Sequence, residues 1–528
     1  MQRLDFISPI SDVSSNGLNG FYLPVGEECA DDFLNSSMDV LGSVACELAS
    51  SDQALADALW LIKPYVGLDA ATIFFNAMQL TVLQRDPAGR SIQSFSSQII
   101  SSFAEGKPTI GPLAASFSKP IKRESLLSNT ARWATAPLRA DGMARPLPFN
   151  HKRETDILCF WSTPFMVDYS RTAGKRLCLA KISQWYSLPD RQETYTGAVD
   201  VVQIVSDRLS LLANQLSPAI SPLFRESVGR STLILLNVTM LLLHQLKNKA
   251  GWLPDNIWLT STGSIFSRLM AYMARQHDIH CVIHDHGCGS GFMNLRLVRD
   301  LELSLGDEML TFSDMQAKGA KTLQVRHADK RVVRPPNIVK SPYNLFERIF
   351  YSATSIGGDR EMNVMYAPSI YDGDRYRSPP LLNDAVAVDY QARLLHSLSR
   401  MGHRVNVKAH PESLHDVPKG LLQIGDCQKV VGRFEACLEQ IDLILIDYPA
   451  STVIRSALHS NIPIVVIDFN RIPILPFMRE VLEKRVSFLR TWRDEEFRVR
   501  FDDRELQLAI EEARAKASDL VCVEKFYG

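Results

Sequence analysis

Lys408-Ala409-His410-Pro411-Glu412, then Ile441-Asp442-Leu443-Ile444-Leu445-Ile446-Asp447-Tyr448-Pro449-Ala450-Ser451-Thr452, then Asn461-Ile462-Pro463-Ile464-Val465-Val466-Ile467: these three runs decide the fold. The second and third are short, continuously apolar runs bounded by Pro or polar residues, the pattern of a strand buried on both faces, and the first is the polar loop at the end of such a strand. Strands of that kind belong to parallel sheets, whose ligands lie outside the carboxyl ends of the strands. Here those ends carry His410, Asp447 and the hydroxyl pair Ser451 and Thr452. That set suits an anionic ligand such as a nucleotide phosphate.

Working outward, the same alternation continues on both sides. Strands are expected at 363–367, 405–409, 441–447 and 463–468, with helices at 386–400, 453–459 and 503–519. Upstream, 256–259, 279–283 and 309–312 read as strands, and 265–276 and 315–323 as helices, with Ser313-Asp314 capping the last. Strand, helix, strand at this spacing is the βαβ signature. The prolines at 335, 336 and 342 mark 332–349 as a transition, and the fold expected is α/β, two Rossmann-like domains facing a cleft. The boundary falls near residue 355: 1–355 forms an acceptor-side domain with an N-terminal extension, and 356–528 a nucleotide-binding domain.

Residues 201–216 and 231–249 read as helices. Before them the pattern is weaker. Leu55–Tyr65 looks helical until Pro64, Thr72–Leu83 suits strand or helix, and 118–152, rich in Pro, Arg and Ser, reads as a surface excursion.

Composition narrows the function classes. The 528 residues carry 58 basic and 59 acidic side chains, a net charge of −1, which gives nucleic acid no support as a partner. Hydrophobic residues make up 46% and charged residues 22%, as in soluble globular chains. The start of the chain shows no secretory signal, and the run 233–243 is too short to span a bilayer. The nine cysteines include no CxxC pair, so reduced thiols in a cytoplasmic compartment are expected.

Three loops carry candidate chemistry. His410, held extended by Pro411, projects at a strand tip with Lys408 on the same face and Glu412 beside it. Asp447 to Thr452 places a carboxylate and two hydroxyls before a helix, and Ser369 opens the loop after the strand 363–367. In the first half, His284-Asp285-His286-Gly287-Cys288-Gly289-Ser290-Gly291 sets Asp285 and His286 as candidate proton acceptors. Gly287, Gly289 and Gly291, with Ser290 between them, allow close backbone approach to a ligand. Each loop also has a plainer reading: a surface histidine, a simple helix cap, a glycine turn. The histidines at 277, 280, 284 and 286 lack metal-site spacing, and neither GxGxxG nor a Walker motif is present, so no metal and no cofactor are expected.

These motifs together resemble a known group. An HG loop in the first half, HP after a strand in the second, and D-Y-x-x-S-T before a helix are similar to bacterial GT-B glycosyltransferases of surface polysaccharides. That group includes CDP-glycerol polymerases, bacterial sialyl- and Kdo-transferases, and surface carbohydrate biosynthesis proteins. The resemblance spans about residues 250 to 470. It implies a metal-independent transferase with a nucleotide-sugar donor (CMP-, CDP- or UDP-linked, a CMP-linked acidic sugar leading). It implies a glycan, glycolipid or glycoprotein acceptor, and a cytoplasmic site with peripheral contact at the inner membrane face. By resemblance, His410, Ser451 and Thr452 meet the donor phosphate, and His286 serves as base with Asp285 second. Two departures stand out: Asp285 precedes the HG histidine where Trp or Gln is usual, and the DYPAST run (447–452) replaces a tighter D-Y-S-S form. Alternatives are a nucleotide-sugar epimerase or hydrolase on the same scaffold, and a non-catalytic nucleotide- or carbohydrate-binding protein.

Overall fold

The computed structural model describes residues 13–14, 17–18, 26–84, 98–117, 145–146, 156–159, 164–179, 185–186, 188, 194–216, 222–249, 251, 253–285, 290–324, 335–341, 361–371, 382–410, 413, 416–425, 427–449, 452–519, 522 and 525. Two separate parallel sheets organise it. The first has seven strands: β1 (Arg145–Pro146), β2 (Asp156–Cys159), β3 (Arg176–Leu179), β4 (Asn256–Leu259), β5 (His280–His284), β6 (Glu308–Thr311) and β7 (Asn337–Lys340), in spatial order β1-β3-β2-β4-β5-β6-β7. The second has six: β8 (Asn363–Ala367), β9 (Arg404–Val407), β10 (Gln428–Lys429), β11 (Leu443–Ile446), β12 (Ile464–Asp468) and β13 (Ser487–Arg490), in order β10-β9-β8-β11-β12-β13. Counted within that half, the order is 3-2-1-4-5-6, the doubly wound dinucleotide-binding arrangement.

The strands read from the apolar runs are all present, within two residues at most ends. Those not read were β1, β2 and β3 in the opaque N-terminal part, β7 inside the segment taken as a transition, and β10 and β13. All six are short, and β1, β7, β10 and β13 are edge strands, so they lack a long apolar run. The cap expected at Ser313 is there: its hydroxyl accepts the Gln316 N–H at 3.1 Å at the start of α7 (Asp314–Leu323). Asn383 does the same for α8 (Asp384–Arg400), accepting from Ala385 N at 3.0 Å.

A helical layer covers the first sheet. It contains α1 (Glu28–Leu48), α2 (Gln53–Gln84), α3 (Ala198–Leu216), α4 (Pro222–Lys247) and α5 (Ile265–Gln276), and α6 (Arg296–Glu302) packs on α2. Helix α1 buries Phe33, Leu34, Ser37, Met38, Leu41, Val44 and Ala45, one stripe at three- and four-residue spacing. Helix α2 is different. It runs through Pro64 as one 32-residue element and is apolar all round, as a helix at the centre of a bundle must be. A stop at Pro64 was expected. An interior proline costs about 3 kcal/mol, and burial of the flanking Leu61, Ile62, Val66, Ile73 and Phe74 offsets it. Phe33 stacks on Phe74 at 4.3 Å, and Phe224 of α4 meets both edge-on. Helices α2 and α4 are long and apolar enough to cross a membrane, but here α2's apolar window is wholly buried and α4's two-thirds buried in the protein.

The two halves share apolar surface. One core cluster combines Ile283, Met309, Phe312 and Ile338 of the first half with Ile444, Ile446, Ile464, Val466 and Met478 of the second. The chain also crosses back. The hairpin 13–14/17–18 packs on α8, and Ala30, in the first turn of α1, belongs to the core of the second half.

Candidate functional site

Because the second sheet is wholly parallel, every strand delivers its carboxyl end to one edge. Ser369 follows β8, Lys408 and His410 follow β9, Asp447 follows β11, and Asp468 ends β12. The strand order reverses between β8 and β11, and there a small pocket opens. Ser369, Asp447, Asp468 and Arg471 give it polar atoms. Leu382, Tyr448, Pro449, Ile467, Phe469 and Ile472 give it apolar walls. An apolar pocket with a few convergent polar groups at a switch point is where an α/β sheet binds a small molecule.

Asp447 is the best-defined group at this edge. It is buried, its Oδ2 accepts the Tyr366 hydroxyl at 2.6 Å, and its Oδ1 accepts the Ser369 backbone N–H at 2.5 Å. The carboxylate therefore ties the ends of β8 and β11 together across the reversal. Burial pushes its pKa up from 3.8 to about 7, against the opposing pull of those hydrogen bonds. Tyr371 and Tyr390 crowd the same interior, and their hydroxyls are raised by burial first and by the Asp447 charge second.

His410 and Lys408 lie one strand over from Ser369 and outside the pocket's lining. Parallel neighbours are about 4.8 Å apart, so β9 and β11 flank β8 at a separation of roughly 10 Å. The Lys408 N–H extends the ladder to Tyr366 O at 2.8 Å. The His410 carbonyl accepts from Ser413 N at 3.2 Å, and the Ser413 hydroxyl accepts the Tyr371 N–H at 3.1 Å. The β8 and β9 loops are thus joined. Glu412 and Ser451 lie outside the described residues, and Thr452 opens the helix α9 (Thr452–Leu458) with its side chain also outside them.

On the first half, His286, Gly287 and Gly289 lie outside the described residues, while Asp285, Ser290 and Gly291 lie within them. Asp285 does not face an open groove. Its Oδ2 pairs with Arg455 of α9 at 3.1 Å and accepts a hydrogen bond from Gln316, and the ion pair is almost fully buried. Arg455 also lies 3.7 Å from the centre of the Phe312 ring, a cation–π contact. Gln316 donates to Ser290 O at 2.8 Å, which fixes the far end of the turn. Gly291, at φ +79°, lets its carbonyl rest against Gly319 of α7, where an added Cβ would fall onto that oxygen. Beyond the turn, Asn294 N donates to Pro473 O at 2.8 Å and Leu475 N to Phe292 O at 3.0 Å, so the halves also meet through backbone. Among the described residues, no group of three His, Cys, Asp or Glu side chains is placed to hold a metal ion.

The residues that sequence reasoning missed fall into two kinds. Asp468 carries the signal that Asp447 does, a carboxylate ending an apolar strand, and the same rule finds it. Arg471, Asp31, Glu27, Gln316 and Arg455 carry none, since their partners are distant in sequence. Arg471 Nη2 bonds both oxygens of Asp31 at 2.9 Å, and its Nη1 lies 3.8 Å from Glu27.

No family model and no curated protein matches the chain. Among solved structures it is similar to Phytolacca americana UGT2, complexed with UDP-2fluoro-glucose and pterostilbene, at 11% identity and a TM-score of 0.33. The match covers 69% of this chain and 86% of that one. A likeness that distant carries no argument about chemistry.

Proposed function

We propose that this chain is a glycosyltransferase that takes a sugar from a nucleotide-activated donor, with the donor's nucleotide side seated at the edge of the second sheet. The observation that carries the reading is the pocket at the β8/β11 reversal of a 3-2-1-4-5-6 sheet, with Ser369 and Asp447 at the strand ends. Asp447, Asp468 and Arg471 are among its lining residues. A CMP-linked acidic sugar remains the leading donor from the sequence, with CDP-glycerol or a UDP-sugar next.

In the transfer, the bond between the anomeric carbon and the donor phosphate breaks and the phosphate leaves with the electron pair. An acceptor hydroxyl bonds to that carbon and gives its proton to a base, for which His286 is the candidate. His410 with the hydroxyls of Ser451 and Thr452 would offset charge on the leaving phosphate. The setting is cytoplasmic, with a glycan, glycolipid or glycoprotein as acceptor.

A thermal-shift series with CMP, CDP, UDP, GDP and their sugars tests this. A ligand at one hundred times its Kd adds about 2.7 kcal/mol to the folded state, so one nucleotide series should raise the melting temperature by degrees. No shift with any of them rejects a donor site.

One observation favours a second reading, a nucleotide-sugar hydrolase or epimerase, or a binding protein. Asp285 is buried in its ion pair with Arg455 of the second half, and Ser290 and Gly291 are buried against α7, which leaves less room there for an acceptor. Donor consumption equally fast with and without acceptor selects the hydrolase or epimerase. Binding without any turnover selects the binding protein.

A further inference from the structure

Arg471 sits in the pocket wall yet is only 8% exposed. It is the cation among the described lining residues, and its charge is met from the opposite end of the chain. Asp31, in the first turn of α1, takes two hydrogen bonds from Nη2 at 2.9 Å each. Glu27, just before α1, lies 3.8 Å from Nη1. A guanidinium this buried needs a counter-ion, because leaving it alone in the interior costs more than pairing it.

The two acids differ in exposure. Glu27 has a second arginine, with Arg493 Nη2 at 2.5 Å, and also accepts the Asn383 N–H at 3.0 Å. Its side chain is 4% exposed, whereas that of Asp31 is 26% exposed and can rehydrate where it stands. A phosphate oxyanion matches the planar fork of a guanidinium bidentately and carries more charge than a carboxylate.

We propose that Arg471 is the pocket's anion-binding side chain and that Asp31 is its resting counter-ion, displaced when a phosphate-bearing ligand enters. This rests on the reading that the pocket's ligand carries phosphate. Its consequence reaches past the pocket. The first turn of α1 is anchored in the second half through Ala30, and the next turns pack in the helical layer through Phe33, Leu34 and Met38. Losing the Arg471 bond removes one of the ties that hold that first turn, so the ligand loosens one of the connections between the halves. The coupling is reciprocal: whatever detaches Asp31 tightens the ligand by the same factor.

The test uses the full chain, with UDP, CMP and inorganic pyrophosphate titrated calorimetrically. Asp31→Asn, which keeps the shape and removes the charge, should bind pyrophosphate and the preferred nucleotide at least about fivefold more tightly than the parent. Arg471→Gln should bind them at least about fivefold more weakly. Saturating pyrophosphate should speed amide hydrogen exchange in residues 28–34 of the parent protein. If Arg471→Gln fails to fold, the Asp31→Asn affinity and the exchange measurement decide alone. An unchanged affinity in Asp31→Asn with a normal melting curve overturns the proposal, as does slower exchange in 28–34. Nucleotide binding that neither variant alters leaves the donor reading standing and removes this inference. Pyrophosphate binding gained in Asp31→Asn, with no nucleotide bound by any form, does the reverse. No binding by any form removes both.

Discussion

At the scale of single residues, Asp447 does the most at this edge. Its carboxyl is reached by a phenol and a backbone N–H, and burial still holds its pKa near 7. The folded state therefore keeps a proton that the unfolded state gives up near pH 3.8. Stability from this group is present in acid and is lost as pH rises through about 7. The interval from 3.8 to about 7 corresponds to at most about 4 kcal/mol. Asp447→Asn removes the titration. Its stability relative to the parent, measured by denaturant midpoints, should rise by up to about 4 kcal/mol between pH 4 and pH 8. A constant difference would show that the group titrates normally. His410 gives a separate test: if its imidazole grips donor phosphate, His410→Ala weakens nucleotide binding by about 1.5–3 kcal/mol, and unchanged calorimetric affinity removes it from the donor site.

At the scale of elements, the Asp285–Arg455 pair joins the end of β5 to α9. Truncating one member leaves the other charged and buried. Arg455→Ala should cost about 3–5 kcal/mol in denaturant unfolding, and adding Asp285→Asn should restore part of it. Additive losses would mean that the two charges do not interact. The contact of Gly319 with Gly291 offers the opposite of a propensity argument. On an exposed helix, Gly→Ala gains about 1 kcal/mol. In α7 the new methyl meets the Gly291 carbonyl, and Gly319→Ala should instead lose about 1–3 kcal/mol. A stabilised variant would place the 290–294 segment farther from α7. These elements also divide what the sequence made legible. β5, α7, β11 and β12 announced themselves through periodicity and caps. That Arg455 reaches across to Asp285 did not, because an arginine one turn into a helix looks the same whether it meets solvent or a carboxylate.

At the scale of the molecule, the shared cluster around Phe312, Ile338, Ile446 and Leu475 binds the sheets into one cooperative body. Thermal unfolding should show a single transition by circular dichroism and calorimetry, with equal van't Hoff and calorimetric enthalpies. Two separable transitions would mean that each sheet stands on its own core. Helix α1 adds to the linkage, since its first turn and its remainder sit in different cores.

The amino-acid sequence by itself determined the α/β class, most of the central strands and the row of polar groups at their carboxyl ends. Those follow from local rules: a strand buried on both faces must be apolar throughout, and its polar continuation must emerge at one edge. Only the tertiary structure decided that α2 passes through Pro64, that Asp285 is locked to Arg455, and that Asp31 answers the charge of Arg471. Each of these depends on what surrounds a side chain in space, and burial among distant partners leaves no periodic trace along the chain.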